Sequence, residues 1–135
     1  EAVQYSENLP LKKEFLRSPD YYGYATLSYN PSSKISFAAN LVHTGAMNLL
    51  HLAGAPRQLN DEFLVSPVFN NIGLKSTYIQ TFNESGIKVE YSVGVKNLTN
   101  DFQKNFDSFK DRDSNFIYGP SLPRTIYLGL VLKSI

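Results

Sequence analysis

The side chains of this sequence that could do chemistry beyond hydrogen bonding lie mainly in two segments without strand-like alternation, residues 46–67 and 98–123. Met47 and His51 lie in the first of them. Thioether and imidazole groups can ligate haem iron or a cobalt corrinoid, although a lone loop histidine is more often a solvated residue. Cysteine is absent, which excludes disulfides, thiolate metal sites and a cysteine nucleophile.

The second segment mixes aromatic and charged side chains. If it is an exposed loop, these side chains could close over a ligand, or they could instead pack the loop onto its neighbours. The candidate ligand-binding residues of the two segments are therefore Met47, His51, Phe106, Phe109, Arg112 and Tyr118. No nucleophile, base and orienting group recur at a usable spacing, so we expect no catalytic residue, no enzyme activity, no resident metal ion and no cofactor.

The elements that must position these residues have a period of two. Ile87, Val89, Tyr91, Val93 and Val95 alternate with polar or small residues over ten positions, which is typical of a β-strand. We predict an all-β chain with five antiparallel strands near residues 20–29, 34–45, 68–79, 86–97 and 124–135. All seven prolines fall where the apolar pattern breaks, so we place them in turns and loops.

The strand lengths carry further information. Each predicted strand has 10 to 12 residues, whereas strands of soluble proteins usually have about 5 to 6. Short connections at residues 30–33 and 80–85 alternate with the long segments 46–67 and 98–123. Long strands with short turns on one side and long loops on the other are typical of a transmembrane β-barrel.

The two faces of such strands would meet different surroundings. In a membrane barrel the apolar rows face lipid, and Lys75, Lys88, Glu90 and Lys96 face the lumen. In a soluble β-sandwich or barrel the apolar rows point inward and the polar rows face water. Periodicity alone leaves both arrangements open.

Composition excludes other classes. The 13 Lys and Arg are interleaved with 12 Asp and Glu, so there is no basic stripe, and we expect no nucleic-acid partner. The sequence is 42% hydrophobic, which is too apolar for a disordered segment. No apolar run approaches the roughly 18 residues that a spanning helix needs.

Residues 17–135 contain several short motifs whose order and spacing can be compared with those of known families. They are Arg17-Ser18-Pro19-Asp20, Thr44-Gly45-Ala46-Met47, Gly94-Val95-Lys96-Asn97-Leu98-Thr99-Asn100, Tyr118-Gly119-Pro120, Pro123-Arg124-Thr125 and Leu128-Gly129-Leu130. Together they resemble the C-terminal end of a TonB-dependent outer-membrane receptor. Thr99 stands where that family usually has an aromatic residue, and Ile135 stands where the last strand usually ends in Phe or Trp.

The resemblance implies a 22-stranded barrel, plugged by an N-terminal domain, in the bacterial outer membrane. Residues 20–135 would be its last five strands, which do not close on their own, and residues 1–19 would be an outer-loop lead-in. The implied partners are the remaining strands, the plug domain, outer-membrane lipid, TonB through a segment absent here, and a surface lipoprotein.

The implied function is import of a scarce ligand: a metal chelate, haem or cobalamin first, an oligopeptide or glycan next. The alternative is a soluble ligand-binding β-barrel of lipocalin or fatty-acid-binding type, which needs eight to ten strands joined mostly by short hairpins.

Overall fold

The computed structural model describes residues 1–134, and half of the chain lies in β-strands. The strands are β1 (Tyr22–Ser32), β2 (Ile35–Thr44), β3 (Asn48–His51), β4 (Glu62–Val65), β5 (Phe69–Phe82), β6 (Ile87–Lys96) and β7 (Thr125–Ser134). A 3₁₀ turn at Asn83–Ser85 joins β5 to β6. No helix in residues 1–134 is long and apolar enough to cross a membrane.

The predicted all-β class is confirmed. Strands β1, β2, β5, β6 and β7 correspond to the five predicted strands and form one antiparallel sheet in the order β1-β2-β5-β6-β7, which is not closed. The predicted last strand included Ile135, which lies outside the described residues.

Two details of the prediction are wrong. Pro31 lies inside β1, which ends at Ser32, and not in the turn. β1 is an edge strand of the described sheet, where a residue without an N–H need not remove a ladder hydrogen bond. The segment 46–67 is also not a plain loop, because β3 and β4 pair in it as an antiparallel hairpin, with Asn48 opposite Val65 and His51 opposite Glu62.

The chain divides into two compact units. We call them the sheet unit and the loop unit. The sheet unit comprises Gly23–Val42, Asn70–Asp101 and the chain from Leu122 onward, and the loop unit comprises Glu1–Tyr22, His43–Phe69 and Phe102–Ser121.

In the sheet unit, the register places the apolar rows of neighbouring strands side by side. Val93 of β6 lies opposite Ser76 of β5 and Leu128 of β7. Tyr91 lies opposite Tyr78, and their rings stack with centroids 6.4 Å apart. Because cross-strand partners share a face, one face of β5, β6 and β7 is mainly apolar, with Ser76 and Gln80 as polar residues on β5.

The loop unit has a small core of its own. Met47, Leu49 and Phe116 are buried, with Leu64 and Tyr118 packed against them. Gln103 is buried beside this cluster, where its amide donates to the carbonyl of Phe116 and its oxygen accepts the N–H of Tyr118, at 3.0 and 2.9 Å. A buried amide with both ends bonded fixes the path of the segment around it.

Candidate functional site

Three of the residues singled out in the sequence meet in the core of the loop unit. Met47 and His51 are 8% and 6% exposed. The imidazole of His51 stacks on the ring of Phe116 at 3.6 Å between centroids, and Tyr118 meets that ring edge-on at 5.2 Å. A ligand could reach Met47 and His51 only after the core opened, and the part of all three residues in ligand binding stays a prediction.

Both nitrogens of His51 face carboxylates. Nε2 lies 2.9 Å from Asp107 Oδ2, and Nδ1 lies 3.8 Å from Glu62 Oε1. Asp107 also accepts the N–H of Asp113 at 3.0 Å, while Asp113 accepts the N–H of Leu52 at 3.1 Å. This network ties the segment 102–121 to the end of β3, and Nε2 would have to leave Asp107 before it could ligate a metal.

Phe106 and Phe109 line an open hollow of about 310 Å³ in the same unit. Ala55, Pro56 and Arg57 also line the hollow, together with Asp107 and Ser108. Arg112 is not among its lining residues, and its guanidinium instead donates to the carbonyl of Phe109 at 3.3 Å. Aromatic faces beside a guanidinium can hold a flat or anionic group.

Arg57 was not among the candidates drawn from the sequence. It is a single arginine between Pro56 and Gln58 in a stretch without periodicity, and no local pattern connects it to a loop about 50 residues further along.

Hydrogen bonds to Asp61 connect N-terminal residues to the rest of the loop unit. The carboxylate of Asp61 accepts the backbone N–H of Ala53 at 2.8 Å, the hydroxyl of Ser6, and the amide of Asn8 at 3.2 Å. These hydrogen bonds, the one from Ala53 first, hold the pKa of Asp61 below its ordinary value because they stabilise the charged carboxylate.

In the sheet unit, the four charged residues expected to face a lumen share one face of the sheet. Lys75 lies opposite Gly94, two residues before Lys96 on β6, and Lys88 and Glu90 follow the same alternation. Lys133 joins them from β7 and donates to Glu90 at 2.5 Å. That this face borders a lumen stays a prediction.

The segment after β6 is held by asparagine side chains. Asn97 and Asn100 have positive φ angles of 50° and 56°, a conformation that asparagine tolerates better than most residues. Asn97 is buried and donates to the carbonyl of Leu122 at 2.9 Å, while Asn100 accepts the N–H of Arg124 at 2.9 Å. The chain leaving β6 is thus bonded to the chain that enters β7.

Thr99 also has a place in this segment. Its hydroxyl donates to the carbonyl of Asn70 and lies 3.3 Å from the side-chain oxygen of Asn97. A phenyl ring at this position could not make these hydrogen bonds. They explain why threonine suits this position.

No family model, curated protein or solved structure matches this chain. Across residues 1–134, no three or more His, Cys, Asp or Glu side chains are placed to hold a metal ion together. The described residues contain a hollow lined by Phe106, Phe109, Arg57 and Asp107 in the loop unit, and a lysine-bearing polar face in the sheet unit.

Proposed function

We propose that this chain forms part of a TonB-dependent outer-membrane receptor, in which it contributes five strands to the barrel wall and helps to capture a scarce ligand for import. The observation that carries the proposal is the exposed apolar face of the long-stranded, open sheet.

The exposure of that face is extensive. Leu128 is 83% exposed, Ile126 74% and Leu132 67%. Apolar surface in contact with water is unfavourable by about 25 cal/mol per Å². Exposing this row of side chains to water is therefore costly, whereas contact with lipid would remove that cost. A shallow apolar groove of about 430 Å³ also crosses this face over Ser76, and it has the shape and chemistry to receive an acyl chain.

The strand lengths agree with a membrane crossing. β6 and β7 have ten residues each and β5 has fourteen. Ten residues span about 33 Å at about 3.3 Å per residue, and a tilt near 45° reduces the rise to about 23 Å. That is close to the apolar band of about 25 Å in outer-membrane barrels.

The open edges favour completion by further strands. β1 and β7 are the outer strands of the described sheet and have eleven and ten residues. Long unpaired edges attract other strands, and about eight strands are needed to close a barrel. A barrel built from this sheet and additional strands would pair both edges.

The loop unit supplies the capture chemistry. The hollow between Arg57 and the two phenylalanines Phe106 and Phe109 also contains one carboxylate, Asp107, in its lining. Aromatic faces beside a guanidinium suit a flat ligand, a description that fits haem and aromatic metal chelates better than glycans.

The membrane half of the proposal can be tested with tryptophan, because the chain contains none. Leu130→Trp places the sole indole on the apolar face, and Val131→Trp places it on the opposite face one residue later. With the chain refolded into vesicles of brominated phosphatidylcholine, we expect the bromine atoms to quench the tryptophan fluorescence of Leu130→Trp strongly and that of Val131→Trp weakly. Equal quenching of the two, or a folded monomer in detergent-free buffer, would contradict the proposal.

The proposed role in transport can be tested by measuring ligand uptake in cells. Disrupting the gene that encodes this chain should abolish high-affinity uptake of one of three radiolabelled probes, a ferric chelate, haem or cobalamin, to the same extent as disrupting TonB. The assignment to ligand import would be contradicted if cells with the disrupted gene still take up all three probes, whereas cells with disrupted TonB do not.

A further inference from the structure

The polar face of the sheet unit contains a second hollow, of about 410 Å³, whose lining residues come from all five strands of the sheet. Its lining includes Asn40 of β2, Gly73 and Lys75 of β5, Lys96 of β6 and Tyr127 of β7. A volume of this size falls within the range of small-molecule sites in proteins.

One glycine, Gly73, lines the hollow, and a second, Gly94, lies against the ring of Tyr127, which also lines it. A Cβ at Gly94 would lie 2.7 Å from Cε1 of Tyr127, and a Cβ at Gly73 would collide with the side-chain amide of Asn40. The tyrosine ring and the asparagine amide therefore occupy the space where side chains at these two glycines would lie. Glycine in a strand interior often marks a place where another group approaches the sheet closely.

Both charged side chains that line the hollow, Lys75 and Lys96, are positive. Lys75 and Lys96 are diagonal neighbours across β5 and β6, because Lys75 pairs with Gly94, and such positions are about 7 to 8 Å apart. No carboxylate lines the hollow. Among residues 1–134, neither lysine lies within 4.0 Å of a carboxylate, whereas Lys133 further along the face is paired with Glu90.

Every other polar side chain of the lining can donate a hydrogen bond. These side chains are the hydroxyls of Thr26 and Tyr127 and the amides of Asn40 and Asn71. Lys96 also lies over the ring of Tyr127, with its Nζ 5.6 Å from the centroid, which keeps the ammonium group beside the hollow. Two cations with several donors and no acceptor-only group match a polyvalent oxyanion.

We propose that this hollow binds a small organic oxyanion, a di- or tricarboxylate or a phosphate ester, between Lys75 and Lys96. The inference goes beyond the transport proposal and does not need it, since the hollow has the same lining whether the opposite face meets lipid or protein.

The probe for the test is citrate, a tricarboxylate, added to the full chain in neutral detergent micelles at constant ionic strength. Binding is followed by the nitrogen-15 amide shifts of Gly73 and Gly94. We expect saturable shifts at both glycines. Because one opposite charge near 4 Å in water is worth about a fivefold change in affinity, Lys75→Gln and Lys96→Gln should each weaken binding at least about fivefold.

The matched control is Lys34→Gln, which removes the same charge at the turn between β1 and β2. This control should bind citrate as the unaltered chain does, and Lys96→Arg should retain binding because it keeps the cation. The proposal is overturned if citrate shifts neither glycine, or if Lys34→Gln weakens binding as much as the other two, since that would indicate only diffuse attraction to a positive surface.

Discussion

Replacing Gly94 by alanine should destabilise the sheet through one identifiable contact. Gly94 lies between Lys75 on β5 and Tyr127 on β7 in the register of the sheet. Carbon atoms in ordinary contact are about 3.5 to 4.0 Å apart, but the added methyl group would lie 2.7 Å from Cε1 of Tyr127 and closer still to Cζ. The ring must therefore move by about 1 Å or more.

The cost of that movement can be bounded. Forcing an extra methyl group into a filled site typically costs about 1 to 3 kcal/mol, and lifting the ring also weakens the approach of Lys96, an exposed cation–π contact of about 0.5 to 1 kcal/mol. We expect Gly94→Ala to lower the free energy of unfolding by about 2 kcal/mol. Urea unfolding of the chain in detergent micelles, followed by far-ultraviolet circular dichroism, measures it.

A double-mutant cycle identifies the cause. In a Tyr127→Ala background the methyl group meets no ring, so Gly94→Ala should become nearly neutral, with a coupling energy of about 1 to 3 kcal/mol. The control is Gly23→Ala on β1, where an added Cβ would meet nothing within 4 Å, and where alanine should stabilise slightly by restricting the unfolded chain. Equal effects of Gly94→Ala and Gly23→Ala, or additive effects in the cycle, would refute the reasoning.

Three further expectations concern the apolar face of the sheet unit, the contact between His51 and Asp107, and the N-terminal residues. Leu128→Lys should cost about 2 to 4 kcal/mol in vesicles and Val131→Lys about 1 kcal/mol or less, and equal urea midpoints of the two variants would contradict this assignment of the faces. His51→Ala removes the hydrogen bond to Asp107 and should destabilise the loop unit by about 2 kcal/mol, seen as faster amide exchange there with unchanged exchange in the sheet. Because its folded pKa is lowered, Asp61 contributes stability that is complete above the ordinary aspartate pKa and is lost as pH falls through the folded pKa. Proteolysis of the N-terminal residues should therefore accelerate in acid, and Asp61→Asn should remove this pH dependence.

The long strands could be predicted because alternation over ten residues leaves little ambiguity. β6 matches its predicted range of residues 86–97 to within one residue at each end. β3 and β4 could not be predicted, since each has four residues, which is too short for a period of two to stand out from chance. Their pairing depends on tertiary contacts that no local pattern encodes.

The same contrast applies to the candidate sites. Alternation alone assigns Lys75 and Lys96 to one face, and the register then makes them diagonal neighbours. By contrast, the contact between His51 and Asp107 joins residues 56 positions apart. Loops carry no periodicity, so the sequence could nominate Met47 and His51 for ligand binding but could not show that both are buried.

The glycines of the sheet show why its two faces should be tested separately. Gly73, Gly94 and Gly129, one on each of β5, β6 and β7, all belong to the polar face, and a Cβ at each would collide with Asn40, Tyr127 or Ser92 respectively. On this face, neighbouring side chains occupy the space over the glycines, whereas the opposite face of these strands presents large apolar side chains outward. If protein rather than lipid covers the apolar face, the tryptophan probes there will report it, and the hollow between Lys75 and Lys96 will still be available to an anion.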